Sequence, residues 1–74
     1  MPWSQLTPRQ SVVLECIKEY IDQNDMSPSL DDIARILGVK PTIITYQVDS
    51  LALKGYITRE AEERRSIKIV DPYP

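Results

Sequence analysis

One stretch constrains the fold more than any other: Leu37-Gly38-Val39-Lys40-Pro41-Thr42-Ile43-Ile44-Thr45-Tyr46-Gln47-Val48-Asp49-Ser50-Leu51. It reads as the end of one helix, a tight turn and a second helix. Gly38 suits the left-handed position that closes a helix, since it has no Cβ to clash. Pro41 lacks an N–H and has a fixed φ, which suits the first turn of the helix that follows. Ile44, Val48 and Leu51 recur at spacings of four and three and make one apolar seam. Thr42, Tyr46 and Asp49 fall on the opposite side, with Ile43 and Thr45 on the flanks. A helix pinned by a narrow seam, with mid-sized side chains turned outward, has the form needed to read a major groove. The same pattern also serves an ordinary surface helix in a small bundle.

The segments on either side set the company this pair keeps. Thr7-Pro8-Arg9-Gln10 is a helix start with Thr as N-cap, Pro at N1 and Gln at N3 of a capping box. Val13, Ile17 and Tyr20 centre its apolar face, Leu14, Ile21, Val12 and Cys16 flank it, and Glu15, Glu19 and Asp22 lie on the polar side. This helix is expected to end near Gln23 or Asn24. Met26-Ser27-Pro28 is too short for a helix and reads as a brief extended segment beside a sheet. Ser29 caps a second helix with Asp31 and Asp32 at its positive end, and Asp31 can pair with Arg35 one turn on. The third helix is expected from Pro41 to Lys54, closed by Gly55. Leu53 points outward on an isolated helix, so it is expected to be buried by a tightened last turn, by another element or by a partner.

After Gly55 the period changes to two. Tyr56-Ile57-Thr58-Arg59-Glu60 and Ser66-Ile67-Lys68-Ile69-Val70 read as two strands of a hairpin, with Ile67 and Ile69 on one face. Between them, Ala61 to Arg65 is a charged tip with no apolar anchor. The expected fold is therefore α+β: three helices followed by a β-hairpin wing, the winged helix-turn-helix order. At 74 residues the chain makes one domain, with a core from about residue 6 to 70 and 71–74 as linker or tail. Trp3 is expected to pack within it.

Chemistry by exclusion narrows the function. There is no His and one Cys, Cys16, so neither an imidazole-based catalytic pair nor the usual zinc sites can be built, and no cofactor or metal is expected. Gly38 and Gly55 are isolated, so no phosphate-cradling loop exists. Asp31-Asp32 is explained by the helix start it occupies. An enzyme is not expected. One cysteine fits a reducing cytoplasm, and no apolar run is long enough to span a bilayer. The net charge of −2 hides a polarity. Residues 1–32 carry two basic and six acidic groups, net −4, and residues 33–74 carry seven basic and five acidic, net +2. Local field matters more to a nucleic-acid partner than the total.

Leu6-Thr7-Pro8-Arg9-Gln10, Met26-Ser27-Pro28-Ser29, Asp32-Ile33-Ala34-Arg35, Leu37-Gly38-Val39 and Leu51-Ala52-Leu53-Lys54-Gly55-Tyr56-Ile57 together resemble the amino-terminal DNA-binding domain of LexA repressors, over roughly residues 6 to 70. The last two segments are shared with many winged-helix regulators. The resemblance implies a transcriptional repressor module that binds double-stranded DNA, commonly as a homodimer on a palindromic operator, formed on the DNA or through a further domain. It places groove-reading positions at Thr42, Ile43, Thr45 and Tyr46. The familiar LexA pattern has Asn and two Glu among these positions, and this chain has none of them; its turn before the third helix is also one residue shorter. The operator therefore does not carry over. The Ser/Lys self-cleavage domain of LexA has no counterpart in these residues.

Read by chemistry, Thr42 and Thr45 can bond base edges or phosphates, Ile43 can meet a thymine methyl, and Tyr46 can reach a phosphate or sugar. Asp49 can accept from cytosine N4. Lys40 is a phosphate clamp, and Arg59, Arg64, Arg65 and Lys68 of the hairpin can neutralise backbone charge, the tip arginines entering a narrow minor groove. The alternative is a winged-helix module that binds protein in a regulatory or replication complex, favoured by the acidic total, Asp49 and the apolar character of Ile43, Tyr46 and Leu53.

Overall fold

The computed structural model describes residues 6–70. Three helices precede a two-stranded hairpin: α1 Pro8–Asn24, α2 Leu30–Leu37, α3 Pro41–Leu53, β1 Ile57–Thr58 and β2 Lys68–Ile69. The strands are antiparallel, with Ile57 opposite Ile69 and Thr58 opposite Lys68. This is a winged helix-turn-helix. Trp3 and the stretch 71–74 lie outside the described residues.

Both capping boxes form. Thr7 Oγ1 accepts from Gln10 N–H at 3.1 Å, and the Gln10 side chain accepts from Thr7 N–H at 3.2 Å. At α2 the partners are Ser29 and Asp32, at 3.1 and 3.0 Å. Four orphan donors are thereby satisfied by local side chains. Gly38 closes α2 at φ 69 and Gly55 follows α3 at φ 89. A third left-handed residue, Asp25 at φ 58, closes α1. Asp tolerates that conformation better than most residues do, and the sequence pattern around it gave no sign of the reversal.

The seam on α3 is buried: Ile44 and Val48 pack with Val13, Leu14 and Ile17 of α1, Ile33 and Ala34 of α2, and Leu51, Tyr56, Ile57 and Ile67 complete one core. At about 2 kcal/mol or more for each buried aliphatic side chain, this cluster dominates folding. Gln10 ties α1 to α3 by a second means. It is buried, donates from Nε2 to Ser50 Oγ at 2.9 Å and accepts from Lys54 Nζ at 2.7 Å.

The strands are shorter than the alternation suggests. Past Thr58 the ladder gives way to side chains: Glu60 N–H donates to Ser66 Oγ at 2.8 Å, and Ser66 Oγ lies 3.0 Å from the Glu60 carbonyl. Residues Ser27 and Pro28 do run beside the hairpin, with Ile67 N–H donating to Ser27 Oγ at 3.0 Å, but they form no strand. Leu53 remains 90% exposed; neither the last turn nor another described element covers it. Arg35 pairs with Asp32 at 2.5 Å instead of Asp31, because Asp32 is already turned toward the helix start.

Candidate nucleic-acid interface

The face of α3 opposite the seam carries Thr42, Tyr46, Asp49 and Leu53, all exposed. Tyr46 is 70% exposed, so its ring stands clear of the core. Lys40 occupies the N-cap of α3 without bonding it through its side chain, which leaves the ammonium outward. Thr45 is half-buried, and its hydroxyl donates to the Pro41 carbonyl at 3.0 Å. That bond back along the helix leaves a lone pair to offer but no ready donor. Ile43 is half-buried and lines an apolar groove with Val12, Leu37 and Val39. Of the four helix positions, the structure thus turns Thr42 and Tyr46 outward and partly withdraws Ile43 and Thr45.

The wing divides its cations in the same way. Lys68 is exposed opposite Thr58 on the strand pair, and Lys40 and Lys68 make no ion pair among the described residues. Arg64 is 77% exposed and faces Asp31 at 3.6 Å, a distance at which a solvated pair holds loosely. Arg59 is different. Its side chain is only 16% exposed, and its guanidinium donates to the Asp49 carboxylate at 2.6 Å, joining wing to helix.

Arg65 corrects the picture of an unanchored tip. Its guanidinium donates to Asp32 at 2.8 Å, to the Ser27 carbonyl at 3.1 Å and to the Tyr20 hydroxyl at 3.3 Å. The tip has no apolar anchor, but it has a polar one, fixed to the corner between α1 and α2. The bonded Tyr20 hydroxyl pushes the Arg65 pKa up, and the Asp32 charge adds to it. Asp32 in turn is held down at about 2, first by the Ser29 backbone N–H and then by the Ser29 hydroxyl and Arg65, against an opposing effect of burial. Cys16 is half-buried at the core edge, and burial, helped by the Glu19 charge, raises its thiol pKa. A thiol so placed is a poor nucleophile.

Sequence reasoning missed Gln10 as a bridge between helices, Ser66 as the closure of the hairpin tip and Ser27 as its dock. Gln10 and Ser27 lie 40 positions from their partners Ser50 and Ile67, and Ser66 acts in a geometry that only the folded hairpin creates, so no local spacing marks them.

The profile of the LexA DNA-binding domain family matches residues 3–66. The chain belongs to that family. Among similar proteins, the LexA repressor of Thermosipho melanesiensis is 46% identical over 66 residues, covering 89% of this chain and 33% of that protein. The LexA repressor of Moorella thermoacetica is 37% identical over 70 residues, 93% of this chain and 34% of the relative. That of Magnetococcus marinus is 36% identical over 73 residues, 99% and 32% respectively. The chain therefore spans about a third of the length of the LexA repressors it matches. Among the described residues, no helix is long and apolar enough to cross a membrane, and no group of three or more acidic or Cys side chains is placed to hold a metal.

Proposed function

We propose that this chain is the DNA-binding module of a LexA-like transcriptional repressor. It reads double-stranded DNA with the exposed face of α3 in the major groove, and its wing rests on the backbone. The observation that carries the reading is the pairing of a buried seam with an exposed stripe on one helix: Ile44, Val48 and Leu51 fix α3 to the core while Thr42 and Tyr46 stand out from it. Thr42 and Tyr46 take the base edges and adjoining sugar or phosphate, and Ile43 offers its apolar edge to a thymine methyl. Lys40, Lys68 and Arg64 take phosphates. Arg65 acts by fixing the wing, and the hydroxyl of Thr45 serves as an acceptor only. Two copies on a palindromic site complete the proposal, as the module is small and a single reading helix spans few base pairs.

Binding-site selection from random duplexes, followed by titration of the selected and a scrambled duplex at two salt concentrations, tests it. With about three phosphates neutralised per domain, log K falls with log salt at a slope near −2.7. Thr42→Ala or Tyr46→Ala costs about 1–3 kcal/mol on the selected site and less on the scrambled one. A flat salt response, with no sequence enriched, overturns the reading and favours a protein-binding module, for which the 90% exposed Leu53 at the end of the same stripe is the natural contact.

A further inference from the structure

Asp49 is an unexpected residue for a face that meets DNA. Its carboxylate is 63% exposed on the stripe that also carries Thr42 and Tyr46. Duplex phosphate repels such a group, and nothing in the packing of α3 requires it there. The partner it holds explains its presence. Arg59 leaves the end of β1 and lays its guanidinium against Asp49 Oδ1 at 2.6 Å, with most of its side chain covered. In the free domain the wing cation nearest to the reading helix is thus neutralised. Only one carboxylate oxygen of Asp49 is engaged by it; the other has no partner among the described residues.

We propose that Asp49 is a specificity-determining residue that withholds Arg59 from phosphate on the wrong sequence. The inference rests on the DNA-binding reading above. On an unmatched duplex, Arg59 stays bound to Asp49, adds no phosphate contact, and the free carboxylate oxygen repels the backbone. On a matched duplex, α3 seats deeply enough for that free oxygen to accept from a base amino group, the N4 of cytosine or the N6 of adenine. The repulsion is then replaced by a hydrogen bond, while Arg59 continues to hold the carboxylate in position. The pair lowers generic affinity and raises the ratio of specific to generic binding, as a repulsive element against wrong partners does elsewhere.

The test is a double-mutant cycle on the full chain with Asp49→Asn, Arg59→Gln and the double variant. Each is titrated by fluorescence anisotropy against the selected and the scrambled duplex at several salt concentrations. Asp49→Asn keeps the size of the side chain and frees Arg59. Binding to the scrambled duplex then gains one phosphate contact: the salt slope steepens by about 0.9 and affinity rises about eightfold at about 0.1 M salt. The selected site gains less, so the specificity ratio falls. In the double variant the steeper slope on scrambled DNA disappears, because the cation that made the contact is gone, and only the smaller gain from removing the Asp49 repulsion remains. If the steeper slope persists without Arg59, it reflects net charge alone and the proposal is overturned. It is equally overturned if Asp49→Asn leaves the scrambled slope unchanged or weakens both duplexes alike. Wild-type chain that binds neither duplex in a salt-dependent way removes the DNA-binding reading itself, an outcome distinct from all of these. Circular dichroism of each variant checks the fold, which Arg59→Gln and Asp49→Asn leave intact because the pair lies outside the apolar core.

Discussion

Replacing Asp32 by Asn isolates a charge that three residues share, Ser29, Arg35 and Arg65. The amide retains an oxygen to accept from Ser29 N–H, so the helix start survives, but Arg65 and Arg35 lose their counter-charge. In the folded protein Asp32 sits at about 2, against 3.8 for an ordinary aspartate. At about 1.4 kcal/mol per tenfold change in proton affinity, that depression sets a ceiling of about 2.5 kcal/mol. The Arg65 and Arg35 side chains are 44% and 73% exposed, and screening by solvent brings the expected loss to about 1–2 kcal/mol. The sign fixes the pH window. A carboxyl whose folded pKa is depressed contributes stability above its unfolded value, near 4, and loses it as pH falls toward about 2. Urea unfolding followed by circular dichroism is the assay. The gap between wild type and Asp32→Asn is full at about pH 7, falls by roughly half by about pH 3 and is nearly closed at about pH 2. A gap that stays constant down to about pH 2 would show that the loss comes from packing or capping and refute the electrostatic account. No gap at neutral pH would refute the ion-pair network altogether.

Gln10→Ala strands three partners, Thr7 N–H, Ser50 and Lys54, and lowers stability by about 1–3 kcal/mol in the same unfolding assay. Asp25→Gly relieves the left-handed strain at φ 58 and raises stability by about 0.5–1 kcal/mol; Gly38→Ala, at φ 69 with open space around the added methyl, lowers it by about 1 kcal/mol, both read as shifts in thermal midpoint. Cys16, with its thiol pKa raised, reacts with iodoacetamide at neutral pH more slowly than a free cysteine, and a rate equal to that of the free amino acid would contradict its placement.

The parts of the fold legible in the sequence were those set by neighbours within one turn. Thr7 with Gln10 and Ser29 with Asp32 are three apart, Gly38 needs only its own missing Cβ, and the Ile44–Val48–Leu51 seam needs only helical geometry. The strand pair was legible in place but not in extent, because Ser66 takes over the bonds of Glu60 once the hairpin closes. The candidate site was legible as a set of outward residues and illegible as a set of states. Thr45, Arg59 and Arg65 are chemically suited to phosphate when taken one at a time, yet each already has a partner: Pro41, Asp49 and the Tyr20–Ser27–Asp32 corner. Arg65 and Tyr20 are 45 positions apart and Arg59 and Asp49 ten, so no spacing rule on a single helix or strand could have joined them.

Those partnerships bear on how an acidic chain could bind DNA at all. With Arg59 and Arg65 neutralised internally, the cations left facing outward around α3 and the wing are Lys40, Lys68 and the loosely held Arg64. About three phosphate contacts give a generic affinity far below that of a strongly basic DNA binder, and one that salt weakens only about 40-fold from about 50 to 200 mM. On the proposed reading, the affinity of one domain comes mainly from the fit of Thr42 and Tyr46 to their site, at about 1–3 kcal/mol for each good base contact. In the proposed two-copy arrangement, a second half-site multiplies a modest affinity through effective concentration and multiplies the penalty for a wrong sequence as well. On the proposed reading, the internal ion pairs and the net charge of −2 therefore act in one direction: they weaken every unmatched encounter and leave discrimination to the exposed face of a single, firmly packed helix.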